Sequence, residues 1–294
     1  MRGRCAVVAT LLVSWLALPA AAADAERTVP DRAFDGFELE SKTVDGFWGE
    51  LGALYQRTDT SNPDRIGVAG KLTDNTETAF ARAAYGQGNK WEGDLFIPYI
   101  NREGSLTAGG FKNDLGNNGI GDITLSGKYI PIRSDTLDLG AGALLSLPSG
   151  DDNKGLGTGE FGAMPFITSS FNLAIVEARG HFGGEFFTGS NDTGLAYNRV
   201  VYGGGLFTPI GKYVFFRNEF DGATLYDAPN SPRSVSYFPG LDLRIPIGEL
   251  DLVLRVTGAI GLSDQAPDWG AGGSFVITSP TYRAPMAKGG VVVE

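Results

Sequence analysis

From residue 46 onward the chain runs as about a dozen segments of alternating apolar and polar residues. The connections between them are short, then long, then short again. The short ones fall at Gly88–Lys90, Ser134–Thr136, Asn172, Gly211 and Gly248–Glu249. The long ones are Thr58–Asn75, Gly104–Asn118, Gly150–Gly159, Thr188–Leu195, Asp227–Arg233 and Ser263–Asp268. A period of two places successive side chains on opposite faces of a strand. A soluble sheet has no reason to keep its tight turns at one end and its loops at the other. A barrel crossing an outer membrane does, having short periplasmic turns and longer external loops. The pattern predicts an all-β fold, a transmembrane antiparallel up-and-down β-barrel.

The segments are Gly46–Arg57, Thr76–Gln87, Trp91–Glu103, Gly119–Arg133, Leu137–Ser149, Phe161–Phe171, Leu173–Phe187, Ala196–Ile210, Lys212–Tyr226, Ser234–Ile247, Leu250–Leu262 and Trp269–Pro280. About twelve strands is an even number, as a single-chain barrel requires, and it puts both termini on the periplasmic side. Arg65–Thr73 is read as part of the first long loop. The lengths suit a tilted spanning strand of about 9–11 residues plus its rim, against the usual ~5–6 residues in soluble domains. Trp91 and Tyr99 share a face eight residues apart, a spacing that fits two interfacial aromatic girdles. Tyr55, Tyr85, Tyr129, Tyr213, Tyr226, Tyr237 and Trp269 also sit near segment ends.

The ends assign the compartment. Residues 1–23 form a secretory signal peptide: Arg2 and Arg4, then the apolar stretch Cys5–Leu18, then the small-residue cleavage region Pro19–Ala23. Cleavage after Ala22 or after Ala23 is equally compatible with it. The single cysteine, Cys5, leaves with this peptide, so disulfides, thiolate metal sites and cysteine nucleophiles are excluded. Residues 24–45 are polar and poorly periodic, either a periplasmic tail or a plug folded into the barrel. The barrel is expected over 46–280, followed by a tail over 281–294. Without Arg2 and Arg4 the chain keeps 22 Lys and Arg against 34 Asp and Glu. That balance excludes a nucleic-acid partner. The 43 glycines suit strongly coiled strands better than a flat soluble sheet.

Charge on the second face of the strands supplies the candidate lumen. The inward set is Glu50, Gln56, Arg82, Glu92, Asp94, Asp122, Lys128, Asp138, Glu177, Arg179, His181, Glu185, Arg217, Glu219, Asp221, Asp242, Arg244, Asp251 and Arg255. An Arg or Lys facing lipid near the midplane costs about 2–4 kcal/mol, so these groups must face an aqueous or internally paired interior. In a channel they set selectivity. In a sealed barrel they form a closed network. Twelve strands leave less room than the wide porins have, so any path is narrow or gated.

No catalytic constellation emerges, and no cofactor or metal site is expected. Gly155-Leu-Gly-Thr-Gly159 lies between strands and lacks a following Lys-Ser/Thr, unlike a phosphate-binding loop. Asp151-Asp152-Asn153 lacks the terminal Glu of an EF-hand, since Gly162 stands at that position. His181 is the only histidine, which rules out a multi-histidine metal site, and no serine shares its face two residues away.

Gly119–Pro165 carries a resemblance. It reads G-I-G-D-I-T-L-S-G-K-Y-I-P-I, then L-D-L-G-A-G-A-L-L-S-L-P-S-G-D, then G-L-G-T-G. This is similar to the outer-membrane protein family named for the meta pathway of phenol degradation, itself loosely similar to hydrophobic-substrate channels typified by fatty-acid transporters. The landmarks are Gly119, Gly121 and Asp122, then Leu147–Asp151, then Gly155–Gly159. The resemblance implies a transporter-like barrel and tilts the cargo toward hydrophobic or aromatic compounds. The mixed-charge lumen points mildly toward small polar or cationic solutes instead. One departure is the end of the chain, Gly290-Val-Val-Val-Glu294, where barrels of this kind commonly end on an aromatic residue.

The expectation is a monomeric outer-membrane channel for passive uptake of small molecules, not an enzyme. Its partners would be outer-membrane lipid, a small-molecule solute and the outer-membrane assembly machinery. The alternatives are an export or assembly accessory, and a structural barrel with a closed lumen.

Overall fold

The computed structural model describes residues 43–60, 70–88, 90–108, 111–134, 136–173, 176–189, 198–211, 213–225, 233–263 and 266–279. The expected signal peptide (residues 1–23), residues 24–42 and the expected tail over 281–294 lie outside them. The strands are β1 (Gly46–Thr60), β2 (Gly70–Gln87), β3 (Trp91–Ala108), β4 (Phe111–Ile120), β5 (Ile123–Arg133), β6 (Leu137–Leu147), β7 (Gly162–Asn172), β8 (Glu177–Phe187), β9 (Arg199–Pro209), β10 (Val214–Leu225), β11 (Arg233–Ile247), β12 (Leu250–Gly261) and β13 (Trp269–Thr278). All pairings are antiparallel, and β13 closes on β1 from Trp48↔Thr278 to Arg57↔Trp269. Because β4 pairs with β3 alone among the described strands, the closed ring holds twelve of the thirteen. Closure gives the ring's strands a neighbour on both sides, which is what a hydrocarbon solvent demands. β1 begins and β13 ends at the short-turn end.

Two expected loops are partly strand. Thr58–Thr60 extend β1 against Leu72–Asp74, and Gly70 and Lys71 continue β2 against β3, so the end of the Arg65–Thr73 stretch belongs to β2. Gly104–Ala108 pairs with Phe111–Leu115, which turns most of the Gly104–Asn118 loop into a raised hairpin. Segment Leu173–Phe187 starts its strand only at Glu177, and Ala196–Ile210 only at Arg199.

β4 and β5 are one path interrupted by a bulge. Tyr99 faces Ile120 and Phe96 faces Thr124, so Gly121, Asp122 and Ile123 stand opposite only Ile97 and Pro98. The extra residue reverses the alternation. Ile120 and Leu125 both face outward, and the Asp122 carboxylate is thereby delivered to the interior.

The outer face is apolar. Leu51, Ile167, Val256 and Phe275 are 61–66% exposed, a continuous surface that suits lipid and is costly in water. Tyr85, Trp91, Tyr129 and Tyr213 are exposed near the short turns. Trp269 is exposed near the long loops, its ring 5.3 Å from that of Tyr55.

The chain enters through the short-turn mouth. Val44 is buried against Trp48, Ala84, Val253 and Val276, and its N–H donates to Glu92 Oε2 at 2.7 Å. Arg133 Nη1 donates to Thr43 Oγ1 at 3.3 Å. The two described residues of the tail-or-plug segment that precede Asp45 therefore lie inside the barrel mouth.

Candidate functional site

Charged side chains of the inner face gather toward the short-turn end. Arg217 Nε donates to Asp242 Oδ1 (2.9 Å), its Nη1 to Glu219 Oε2 (2.8 Å) and its Nη2 to Thr257 Oγ1 (2.8 Å). Asp242 Oδ2 also accepts from Arg255 Nε at 3.3 Å. Arg255 Nη1 reaches Glu50 Oε1 at 3.4 Å, which accepts from Ser274 Oγ as well. On the neighbouring strands Arg82 Nε donates to Asp94 Oδ2 (2.6 Å), and Lys128 Nζ lies 3.3 Å from Glu92 Oε1. Each of these nine charged side chains is at most 3% exposed. Buried charges persist only where they are paired and hydrogen-bonded, and four cations here meet five anions. The Arg255 guanidinium also lies 5.3 Å from the Trp48 ring, which closes this layer against the apolar floor around Val44.

Four further pairs flank the layer. Arg133 lies 3.6 Å from Asp138 and Arg244 lies 2.6 Å from Asp251. Arg179 donates to Glu177 at 2.8 Å and stacks 3.8 Å above the Phe207 ring. His181 Nε2 stands 3.3 Å from Asp221 Oδ1. Among the described residues no group of three or more His, Cys, Asp and Glu is placed to hold a metal ion.

Toward the long loops the inner face becomes apolar. Leu54, Phe80 and Phe96 pack together, the two rings 5.6 Å apart. With Pro98, Ile100 and Leu156 they line a cavity of about 400 Å³, whose polar contributions come from Gln56, Thr78, Asp122, Thr158 and Arg199. Leu144, Met164 and Phe166 form a second buried inner cluster, with Val201 against it. At the rim Arg102 Nε donates to both oxygens of Asp74, at 3.0 and 2.8 Å, and Arg199 donates to Glu185.

The β6–β7 connection forms part of this chamber. Asp122, at the bulge, accepts from Gly150 N at 3.0 Å, Thr158 N at 2.6 Å and Thr158 Oγ1 at 2.7 Å. Ser149 Oγ accepts from Ile123 N (2.8 Å) and donates to Gly121 O (2.9 Å). All three landmark stretches of the sequence thus meet here. A side chain at Gly157 would collide with the Asp122 carboxylate, and Gly155 holds φ +68, where only glycine is at ease. The loop presents Leu156 to the interior, where it is 3% exposed.

The expected inward residues thus fall into three groups. Glu50, Arg82, Glu92, Asp94, Lys128, Arg217, Glu219, Asp242 and Arg255 make the paired layer. Asp138, Glu177, Arg179, His181, Asp221, Arg244 and Asp251 flank it, and Gln56 lines the chamber. Asp122 and Glu185 belong to the chamber end, the one clamping a loop and the other pairing with Arg199. Sequence reasoning missed the chamber's apolar walls. Its signal was present: Phe80 is two residues from Arg82, and Phe96 two residues from Asp94, so each shares the charged residue's face.

No family model matches the chain, and no curated protein matches it in sequence. Among solved structures, an outer-membrane channel from Pseudomonas putida F1 is similar at 12% identity and TM-score 0.56, covering 84% of this chain and 99% of that one. The NanC porin is similar at 8% identity and TM-score 0.48, covering 78% and 98%. The Pseudomonas putida toluene transporter TodX is similar at 9% identity and TM-score 0.43, covering 87% and 95%. The first of these likenesses, together with the closed twelve-stranded ring, identifies the fold as that of bacterial outer-membrane β-barrels.

Proposed function

We propose that the protein is an outer-membrane channel that admits small, predominantly apolar molecules, with the long loops external and both chain ends periplasmic. The observation that carries this reading is the cavity of about 400 Å³ at the long-loop end, where Leu54, Phe80, Phe96, Pro98, Ile100 and Leu156 supply a contiguous apolar wall beside a polar one. A hydrated solute needs exposed polar groups along its path, whereas the charges of this lumen are spent on one another. The family resemblance, with its hydrophobic or aromatic cargo, points the same way. Outer-membrane lipid covers the wall, and the barrel acts as a monomer.

Purified protein in detergent micelles, titrated with the fluorescent apolar probe 1-N-phenylnaphthylamine, tests the reading. Saturable binding displaced by toluene but not by arabinose is expected, together with little liposome swelling in sugars. Rapid swelling in arabinose without displaceable probe binding would overturn it. A second reading, a structural barrel with a sealed lumen, is favoured by the completeness of the ion layer. It predicts neither probe binding nor swelling.

A further inference from the structure

We propose that Leu156 sets the size limit of the apolar chamber, and that Asp122 is the positioning residue that holds it there. The inference rests on the channel reading above and deepens it by naming what selects the cargo.

Among the described residues, Leu156 is the one apolar side chain that a connecting loop, rather than a strand, contributes to the chamber wall. A strand residue is fixed by its ladder. Leu156 is fixed instead by the three hydrogen bonds that Asp122 accepts from Gly150 and Thr158, which flank it on both sides. Its own N–H donates to Asp151 O at 3.0 Å, which tightens the turn that presents it. Its carbonyl lies close against Gly150 and Gly121, and its Cδ1 against Gly119, so the side chain has little room to withdraw. The carboxylate that fixes the loop comes from the bulge. Without the extra residue between Ile120 and Thr124, position 122 would face lipid. The bulge, the carboxylate and the glycine-rich loop are thus one device, whose output is the position of one leucine in the chamber.

The test measures a preference and not an absolute affinity. Folded full-length protein, checked by heat-modifiable gel mobility, is titrated with 1-N-phenylnaphthylamine and displaced by toluene, butylbenzene and hexylbenzene. Leu156→Ala should shift the preference toward the longer alkylbenzenes, by about fourfold for each added methylene that becomes buried. Leu156→Phe should shift it toward toluene. Asp122→Ala should broaden the preference in the same direction as Leu156→Ala, and the double variant should add little to either single change, because both act through one side chain. Thr158→Val, which removes only the hydroxyl bond, should give a smaller shift of the same sign.

If wild type binds the alkylbenzenes but Leu156→Ala and Leu156→Phe leave the order of preference unchanged, the size-limit assignment is wrong while the channel reading stands. If Asp122→Ala lowers stability without moving the preference, Asp122 is structural only and its assignment is overturned. If wild type binds none of them and Leu156→Ala gains binding, the assignment is supported. Absence of binding in every variant overturns both readings.

Discussion

The two halves of the lumen solve opposite problems with the same strands. Near the short turns, β1, β2 and β3 place Glu50, Arg82 and Asp94 inward. A few residues further along, the same three strands place Leu54, Phe80 and Phe96 inward. The first set binds itself: Arg217, Asp242, Arg255 and Glu50 form a continuous chain of donors and acceptors across β10, β11, β12 and β1. The second set leaves a cavity of about 400 Å³. A closed ion layer is rigid and unreceptive, because any partner it offers to a solute must first be taken from a neighbour. The apolar chamber carries no such debt. On the proposed function, stability and reception are therefore separated along the barrel axis.

Substitutions can break that separation if it is wrong. The largest expected effect is Asp242→Leu, which removes the carboxylate shared by Arg217 and Arg255, both with wholly buried side chains, and leaves Glu219 and Glu50 as their remaining anions. Removing one partner of a buried network costs about 3–5 kcal/mol, to be read as a lower urea midpoint for the heat-modifiable folded form. Asp242→Asn keeps the shape and one acceptor oxygen and should cost clearly less. Next comes Phe80→Ala with Phe96→Ala. These side chains border open space, so the stability loss should fall below the ~3–5 kcal/mol usual for a fully packed Phe, while affinity for the apolar probe drops by about tenfold or more. Equal destabilisation by the charge and the aromatic substitutions would dissolve the distinction between the halves. Neutralising Arg217 and Arg255 together with the flanking Arg179 should raise bilayer conductance and alter its ion selectivity, because the layer and its flank lose the cations that hold their carboxylates in place. The smallest effect belongs to Arg199→Gln at the chamber rim. Its side chain is 46% exposed beside Glu185, so stability should change by less than about 1 kcal/mol, measured by the same urea transition.

How legible this was in the sequence depended on what each signal had to report. Strand number and the short-turn end were readable because period two survives in segments such as Leu250–Gly261, where Asp251, Val253, Arg255 and Thr257 are inward. The residues that pair in the charged layer share one face of their strands for the same reason. β4 was not. Its Lys112–Asn118 stretch is rich in Asn and Gly with no alternation, and it is a strand because β3 rises beyond the ring and offers it a template. The bulge was hidden as well, since Gly119 and Gly121 have no side chains to betray a change of face. The chamber escaped through an assumption about polarity. An apolar side chain carries no mark of which solvent it meets, and Phe80, Phe96 and Leu144 share the face of inward polar neighbours. In a barrel, alternation identifies the two faces, but only the register of a charged residue says which face is the interior. The position of Leu156 depends on contacts between Asp122 and a loop about thirty residues away in the chain, which no local pattern encodes.

The most direct test of the two-part lumen is a crystal structure of the protein soaked with bromobenzene, read by anomalous scattering from bromine. A bromine peak in the cavity bordered by Phe80, Phe96 and Leu156, with the Arg217–Asp242–Arg255 layer unchanged beneath it, is the predicted result. Bromine confined to the lipid-facing wall, or seated among the paired charges, would contradict it.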